Sequence, residues 1–374
     1  MVIPQARAEG IRVTPRGDGL TAHVTRQDTT HIQVSDSGFV STVAQLARRG
    51  DFILLDGGVH EAWAGALEPA LTPGRFLVVP PGEAGKSLAR AERIITALHE
   101  AGVDRRTTLT AVGGGVLCDL SGLVAALYFR GVRAVYVPTT LLAMIDAAIG
   151  GKTGVNHPRQ KNLIGVFSHP AEVHIRLDSL ATLPLPQLTA AYGEALKIAI
   201  VDDPDLFELL AGPRGNQPVT PVLRTIVRRC VARKLQLLGS NAFERDLERS
   251  LNLGHTVAHP LEDITAFRIS HGAAVGIGIA VASHISHARG LLTTTDFQRI
   301  LNAMDHLGLP VMDRDFDEQR LADRVRDLTL QRGGISLHYV LPTAIGKVAF
   351  TDSVATTELL AAVTGLRTRQ RGSL

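Results

Sequence analysis

Residues 108–137 read TLTAVGGGVLCDLSGLVAALYFRGVRAVYV, and this stretch decides the fold. Two short apolar runs, Thr108–Val112 and Ala134–Val137, have the composition of buried parallel strands. Between them lie the glycines Gly113–Gly115 and enough residues for one helix. A strand, a glycine-rich turn and a helix in this order suit a dinucleotide, because the glycines let backbone amides approach a pyrophosphate. The triplet is not the GxGxxG fingerprint, so taken alone it also fits an ordinary tight turn.

The alternation of strand and helix continues upstream of this stretch. Phe52–Leu55 and Phe76–Val79 are further buried-strand runs, and Leu88–Ala101 has a helical pattern, so we predict a parallel sheet with crossover helices. After about residue 170 the strand signals fade, and amphipathic segments predict helices at Leu188–Ile200, Pro221–Leu238, His255–Ile264, Ala273–Arg289 and Asp296–Leu307, with a small strand pair near His338–Leu341 and Val348–Phe350.

These patterns predict three parts of the chain. Residues 1–30 form a loose N-terminal extension, residues 31–170 an α/β Rossmann-like domain suited to a dinucleotide, and residues 171–374 an all-α domain that carries the candidate metal ligands. A chain of 374 residues is long enough for two cores.

Composition excludes several classes of protein. The net charge of +3 and the low aromatic content argue against nucleic-acid binding, and no apolar run is long enough to span a membrane. Only Cys118 and Cys230 are present, which excludes a disulfide framework. With no secretory signal visible, we expect a cytoplasmic protein.

Polar and charged residues follow the predicted strands, where ligands of parallel sheets bind. Glu83 and Lys86 follow the run Phe76–Val79, and Thr139, Thr140 and Asp146 follow Ala134–Val137. For Lys86, the pattern alone favours a position at the start of a helix with the side chain in solvent. Further on, Lys152, Lys161 and Asn162 lie in a segment that we predict to be a lysine-rich loop, and several cations in glycine-rich loops favour anion binding.

Three residues of the helical part are candidate metal ligands: Glu194, His255 and His271. Two imidazoles and one carboxylate form a catalytic zinc-type set that leaves positions open for substrate. Their spacing is not a standard short motif, so a structural role for the histidines remains an alternative. His255 and His259 share one helix face, but the acid of an HExxH motif is missing.

Read together, these segments resemble the sugar phosphate cyclase superfamily, whose best-known member is 3-dehydroquinate synthase. The resemblance runs from about Asp56 to Phe350 and is carried by PGEAGKS, GGGVLCDLSG, YFRGVR, VPTTLLAMIDAAIGGKTGVN, KNLIG, TLP, YGEALK, LNLGHTVAH and HGAAV, in this order. It implies a dehydroquinate synthase-like fold, NAD+, one divalent metal (zinc or cobalt), a phosphorylated sugar substrate and a homodimer.

The resemblance also implies roles for individual positions. The NAD-binding residues would be Asp56, Glu83, Lys86, Gly114, Gly115, Asp119, Thr139, Thr140, Lys161 and Thr182. The metal ligands would be Glu194, His255 and His271. Substrate and its phosphate would be surrounded by Lys152, Lys197, Lys234, Asn252, Asn162, His259, Asp146 and, from the partner subunit, Arg130. The implied reaction oxidises a substrate hydroxyl transiently, eliminates phosphate and closes a six-membered carbocycle, with NAD+ regenerated.

Departures from the dehydroquinate synthase pattern bear on the substrate. Glu248 stands where those enzymes are expected to carry an arginine for the substrate carboxylate, Ala273 replaces the acid of HGEAV, and residues 330–334 (LQRGG) lack the usual lysine pair, with Arg332 as a substitute. These features favour sedoheptulose 7-phosphate and a 2-epi-5-epi-valiolone-type product. Asn252, His259 and Lys234 keep 3-dehydroquinate synthase activity on 3-deoxy-arabino-heptulosonate 7-phosphate (DAHP) as a close alternative. A metal-dependent polyol or alcohol dehydrogenase is the alternative from another class.

The substitution Glu248→Arg tests this interpretation of the substrate. Two carboxylates repel, so replacing this acid with a cation should strengthen binding of the carboxylated sugar DAHP. The measurement is the KM for DAHP in the variant and in the wild type. An unchanged KM would remove Glu248 from the argument.

Overall fold

The computed structural model describes residues 10–16, 19–25, 27–158, 160–212, 221–241, 243, 249–266, 268–313, 317–331 and 338–372. The strands are β1 (Gly10–Arg16), β2 (Gly19–Thr25), β3 (His31–Ser35), β4 (Phe52–Asp56), β5 (Phe76–Val79), β6 (Leu109–Gly113), β7 (Ala134–Pro138), β8 (Lys152–His157), β9 (Gln160–Phe167), β10 (Glu172–Arg176), β11 (Tyr339–Ala344) and β12 (Lys347–Thr351). The α-helices are α1 (Phe39–Arg49), α2 (Gly57–Leu67), α3 (Leu88–Glu100), α4 (Gly115–Leu127), α5 (Leu185–Asp202), α6 (Pro204–Ala211), α7 (Pro221–Leu238), α8 (His255–Ile264), α9 (His271–Ala288), α10 (Thr294–Leu307), α11 (Glu318–Gln331) and α12 (Thr356–Gly372).

A six-stranded sheet organises the N-terminal half, in the order β3-β10-β7-β6-β4-β5. Every pairing in it is parallel, as the buried-strand runs predicted. The four strands from β4 to β7 lie within one residue of their predicted bounds. Helices α1 to α4 connect strands of this sheet, which confirms the α/β class expected from the sequence.

Strand β10 extends this sheet past residue 170, into the segment that the sequence assigned to the helical part. Its sequence EVHIR carries a histidine among buried positions, which hides the apolar signal of a strand. His174 nonetheless has a partner, since its Nε2 lies 2.7 Å from Glu172 Oε2. Residues 10–25, expected to be part of a loose extension, include the antiparallel pair β1–β2.

The order of the strands creates a crevice at one edge of the sheet. From β4 the chain runs outward to β5 and then returns to β6 on the other side, so the connections that leave the carboxyl ends of β4 and β6 run in opposite directions. Ligands of open α/β sheets bind at such a switch point. The two strand ends are in close contact here, because a Cβ on Gly113 would lie 2.8 Å from Cβ of Asp56.

Helices α5 to α12 form the C-terminal half, together with the predicted antiparallel strand pair β11–β12. Helices α7 and α8 have the bounds that the sequence predicted, and the bounds of α5, α9 and α10 differ from the predicted ones by at most three residues. Thirteen of the eighteen residues of helix α9 are buried. This helix therefore lies at the centre of the C-terminal half. No helix within the described ranges is long and apolar enough to cross a bilayer.

Glycines bring three of these helices into backbone contact. A Cβ on Gly193 of α5 would lie 2.0 Å from the carbonyl oxygen of Gly272 in α9, and a Cβ on Gly272 would lie 1.9 Å from the carbonyl oxygen of Ala190. Gly254, in the left-handed region with φ +80°, caps the start of α8. Its carbonyl oxygen would lie 2.0 Å from a Cβ on Gly278 of α9. Each contact leaves no room for a side chain.

We expect Gly272→Ala to destabilise the protein strongly, whereas Gly276→Ala on the same helix should not. The first adds a methyl group against a backbone carbonyl and forces α5 and α9 apart, at a cost of at least about 1–3 kcal/mol. In the second variant, the added methyl group would lie no closer than 3.7 Å to atoms of neighbouring elements. Alanine also has a better helix propensity than glycine, by up to about 1 kcal/mol. Thermal and urea unfolding of both variants measure the difference. Equal stability of the two would contradict the proposed importance of the crossing.

Candidate active site

The cofactor-binding residues predicted from the glycine triplet form a cradle at the carboxyl edge of the sheet. Gly114 caps α4 without a side-chain hydrogen bond, so backbone N–H groups of the first helical turn face outward. Thr139 donates its backbone N–H to Gly113 at 3.0 Å. A Cβ on Gly114 would lie 3.2 Å from Cγ2 of Thr140. A pyrophosphate needs this open, side-chain-free helix start, so the cradle fits a dinucleotide.

Two other predicted cofactor residues have structural partners at the same edge. Asp56 caps α2 by accepting hydrogen bonds from the backbone amides of Gly58 and Val59, at 2.9 and 3.3 Å. Thr182 accepts a hydrogen bond from the indole nitrogen of Trp63 at 2.9 Å. These contacts hold Asp56 at the end of β4 and Thr182 at the end of the 3-10 helix Leu177–Thr182, which follows β10.

Lys86 is buried, and the sequence-based preference for a solvated lysine is wrong. Its side chain is 4% exposed, and its Nζ donates to Asp119 Oδ2 at 2.6 Å and to Asn162 Oδ1 at 2.5 Å. A buried ammonium is costly unless it is paired, and these two acceptors remove that cost. Burial raises the pKa of Asp119, and the charge of Lys86 opposes this shift.

The segment predicted to be a lysine-rich loop is instead the antiparallel hairpin β8–β9. It positions Lys152 at the start of β8, and Lys161 and Asn162 near the start of β9. Asn162 adopts φ +52°, and its backbone N–H donates to Asn156 Oδ1 at 2.9 Å. Asn156 in turn donates to Glu83 Oε1 at 2.8 Å. Asn156 belongs to the quoted motif VPTTLLAMIDAAIGGKTGVN, but its role was not predicted from the sequence.

The three candidate metal ligands lie together. Glu194 is on α5, while His255 and His271 are the first residues of α8 and α9. Nε2 of His255 and Nε2 of His271 lie 3.4 and 3.2 Å from Glu194 Oε1. One donor atom from each residue falls within 4.8 Å of the others. The helix crossings at the neighbouring glycines bring them to this spacing.

The orientation of both imidazoles suits metal binding. His255 Nδ1 lies 3.2 Å from the carbonyl oxygen of Leu253, and His271 Nδ1 lies 3.1 Å from Glu262 Oε2. With each Nδ1 held by an acceptor, each Nε2 is directed to the centre of the cluster. No role was predicted for Glu262 from the sequence. A carboxylate three residues after His259 on α8 was the available signal.

Glu194 carries a negative charge that the protein does not satisfy by hydrogen bonding. Both carboxylate oxygens are buried without a hydrogen bond to any described residue, although Lys197 forms an ion pair with Oε2. Burial opposes ionisation, yet Lys197 and the two imidazoles hold the pKa of Glu194 well below its usual value. Buried oxygens without hydrogen bonds beside two nitrogen donors are what a divalent cation requires, so these residues fit a metal.

Charge also determines the state of the two histidines. Burial lowers the pKa of His255, and the positive charge of Lys197 lowers it further. Burial acts in the same direction on His271, but its contacts with Glu194 and Glu262 outweigh this and raise its pKa to about 9.

Asp146 joins the metal cluster to the sheet edge. It lies in a π-helical turn, Ala143–Ala147, that follows β7. Lys234 of α7 donates to its backbone oxygen at 2.6 Å and to its Oδ1 at 2.7 Å. Burial opposes ionisation, but Lys234 and Lys197 lower the pKa of Asp146, while Glu194 acts against them. Asp146 also raises the pKa of Asp119, so both halves of the site share one electrostatic environment.

The remaining predicted residues lie on several different elements, and two of them are outside the described residues. The ring centroid of His259 lies 5.1 Å from that of His255 and 6.1 Å from that of His271. Asn252 is in the 3-10 turn before α8. Arg130 is exposed after α4, with φ +62°. Glu248 and Arg332 lie outside the described residues.

Several known proteins are similar to this chain in both sequence and architecture. Residues 76–190 match the family model of the 3-dehydroquinate synthase N-terminal domain, and residues 191–328 match that of its C-terminal domain. A 2-epi-valiolone synthase of Stigmatella aurantiaca is 42% identical over 75% of this chain and 72% of its own length. A 3-dehydroquinate synthase of Synechococcus is 37% identical over 81% and 84%.

A solved structure agrees along nearly the whole chain. It is that of ValA, a 2-epi-5-epi-valiolone synthase of Streptomyces hygroscopicus subsp. jinggangensis 5008, with NAD+ and Zn2+ bound. It superposes with a TM-score of 0.83 at 32% identity and covers 96% of this chain and 99% of that one. The chain therefore belongs to the 3-dehydroquinate synthase family of sugar phosphate cyclases, which confirms the resemblance seen in its motifs.

Proposed function

We propose that this protein is an NAD+- and divalent metal-dependent cyclase that acts on a sedoheptulose 7-phosphate-like sugar, eliminates its phosphate and forms a valiolone-type cyclitol. One observation carries the proposal: three buried lysines are each paired with a carboxylate of the dinucleotide cradle, of the metal cluster, or of Asp146, whose charge acts on both. The pairs are Lys86–Asp119, Lys197–Glu194 and Lys234–Asp146. The 42% identity to a 2-epi-valiolone synthase supports the substrate class.

The two halves of the cleft would hold different groups. Gly114, Gly115, Thr139 and Thr140 would contact the dinucleotide, and Glu194, His255 and His271 would ligate zinc or cobalt. When bound, NAD+ supplies a reversible hydride acceptor and the metal a Lewis acid for a substrate hydroxyl. The cradle and the ligand cluster meet at Asp146, whose pKa responds to Glu194, and which itself raises the pKa of Asp119.

The lysines suit a substrate that loses phosphate. An ammonium has three donors, and Lys234 uses two of them on Asp146. Its third donor can meet a substrate oxygen, as can the third donor of Lys86. In a buried site such fixed cations stabilise developing negative charge far better than in water. A small alcohol has no need for this charge, which argues against a polyol or alcohol dehydrogenase.

The phosphate end of the substrate would meet exposed groups of the cleft. We assign Lys152, Asn162 and His259 to it, with Lys161 and Asn252 beside them and Arg130 contributed by the partner subunit of a homodimer. The exposure of Arg130 and its left-handed backbone support a role at a subunit contact. The two cysteines are buried and unpaired, which supports action in the reducing cytoplasm.

3-Dehydroquinate synthase activity on DAHP is the second candidate. It is favoured by the 37% identity to a synthase of that name and by Lys234 and His259, which match the dehydroquinate synthase pattern. Glu248 at the expected arginine position favours the first candidate.

Phosphate release distinguishes the candidates. Purified protein with NAD+ and Zn2+ or Co2+ is incubated with sedoheptulose 7-phosphate, DAHP or glucose 6-phosphate, while phosphate and NADH absorbance are followed. We expect phosphate from sedoheptulose 7-phosphate without accumulation of NADH, and NMR of the product separates the 2-epi and 2-epi-5-epi configurations. Turnover of DAHP alone would establish the second candidate. NADH formed from polyols, with no phosphate from any sugar, would contradict both.

Removing the metal should lower stability as well as activity. A cation that binds only the folded state adds about 2.7 kcal/mol when its concentration is 100 times its Kd. We therefore expect Zn2+ to raise the Tm of chelator-treated wild type and to leave Glu194→Gln unchanged. His99→Gln, which alters an exposed histidine of α3 far from the cluster in sequence, is the matched control and should respond like wild type. An equal Tm increase in Glu194→Gln would move the metal to other ligands.

A further inference from the structure

Glu262 occupies a position that the proposed reaction does not use. It lies on α8, its side chain is 2% exposed, and its two oxygens have different partners. Oε2 lies 3.1 Å from Nδ1 of His271, and Oε1 accepts from Nζ of Lys161 at 2.7 Å. One buried carboxylate thus bridges a candidate metal ligand and the hairpin β8–β9.

The contact with His271 sets the direction of that ring. In the neutral ring that a metal requires, an Nδ1–H donated to Glu262 leaves Nε2 without a proton and directed to Glu194, 3.2 Å from its Oε1. His255 is held in the same manner, but by the neutral carbonyl of Leu253. A carboxylate makes an imidazole a stronger ligand than a carbonyl does. His271 therefore depends on Glu262 for both orientation and basicity.

The contact with Lys161 extends this connection to the other half of the molecule. Lys161 directly precedes Asn162, whose side chain meets Lys86 beside Asp119 in the cofactor half of the cleft. The ion pair between Lys161 and Glu262 is largely buried, with side chains 21% and 2% exposed. An unpaired charge there would be costly, so the hairpin and α8 are held together at this point.

We propose that Glu262 is a positioning residue that orients His271 for the metal, and that Lys161 couples the β8–β9 hairpin to the metal site through Glu262. The inference rests on the metal site of the proposed function. It goes beyond the ligand set, because it makes metal affinity depend on a residue of the cofactor-binding half.

Cobalt binding measures this dependence directly. Chelator-treated full-length protein is titrated with Co2+, and affinity and the visible absorption spectrum are recorded for wild type, Glu262→Gln and Lys161→Met. We expect Glu262→Gln to weaken Co2+ binding about 10–100-fold, the usual cost of losing an outer-shell partner, and to change the spectrum. Lys161→Met should give a smaller loss, because Glu262 keeps its contact with His271 but loses the cation that fixes it.

Asp263→Asn is the matched control. Asp263 is the next residue of α8 and pairs with Arg324 at 2.7 Å. Loss of this ion pair tests whether any broken ion pair on α8 weakens the metal site. We expect Asp263→Asn to keep the Co2+ affinity and the absorption spectrum of the wild type.

Three results would overturn the proposal. Glu262→Gln that is folded and binds Co2+ within twofold of wild type would remove the positioning role. Equal losses in Asp263→Asn and Glu262→Gln would reduce the effect to general destabilisation. If Glu262→Gln does not fold, Lys161→Met decides, and unchanged affinity there would contradict the coupling. A wild type that binds no Co2+ would instead refute the metal site itself, a distinct outcome.

Discussion

Contact between helix backbones at glycine is the constraint on which the active site depends. Glu194 follows Gly193, His271 precedes Gly272, and His255 follows Gly254, so every candidate ligand neighbours a glycine that touches another helix. Side chains at these crossings would separate α5, α8 and α9 by more than the site tolerates. The geometry of the cluster is thus set by close-packed main chain, which deforms far less readily than flexible side chains do.

The cofactor half depends on a different constraint, the parallel order of the sheet. Residues that are far apart in sequence meet there because parallel strands end at one edge. Asp56 ends β4, Gly114 and Gly115 follow β6, and Thr139 and Thr140 follow β7. For this reason the position of these strand ends could be predicted from the sequence alone, because parallel strands converge at one edge whatever the detailed packing. The strands β4 to β7 were predictable from continuous apolar runs, and the helices α7 and α8 from long amphipathic patterns.

Other features could not be read from sequence because they arise from pairing between distant residues. Lys86 looks solvated until Asp119 and Asn162 lie beside it, since a lysine is buried only when acceptors are present. The glycines of the hairpin β8–β9 would be equally at home in a loop. The strands are identified by their pairing, which includes that of Gly154 with Gly165. Glu262 follows His259 by three residues, but its role becomes visible only when its two partners, Lys161 and His271 from other elements, lie beside it. Glu248, which carries the sequence argument on substrate, lies outside the described residues.

The buried charges explain how one cleft can be stable and still attract an anion. Each of the three lysines is paired with one carboxylate. The folded protein therefore avoids the desolvation penalty of an unpaired buried ion, which is about several kcal/mol for each ion. Among these pairs, Lys197–Glu194 differs, because Glu194 also faces two imidazoles at 3.2 and 3.4 Å. A divalent cation bound to Glu194 would leave Lys197 less neutralised, and the charge of Lys197 would then be available to a phosphorylated ligand. Under the proposed function, metal loading and anion binding would therefore be linked through one carboxylate.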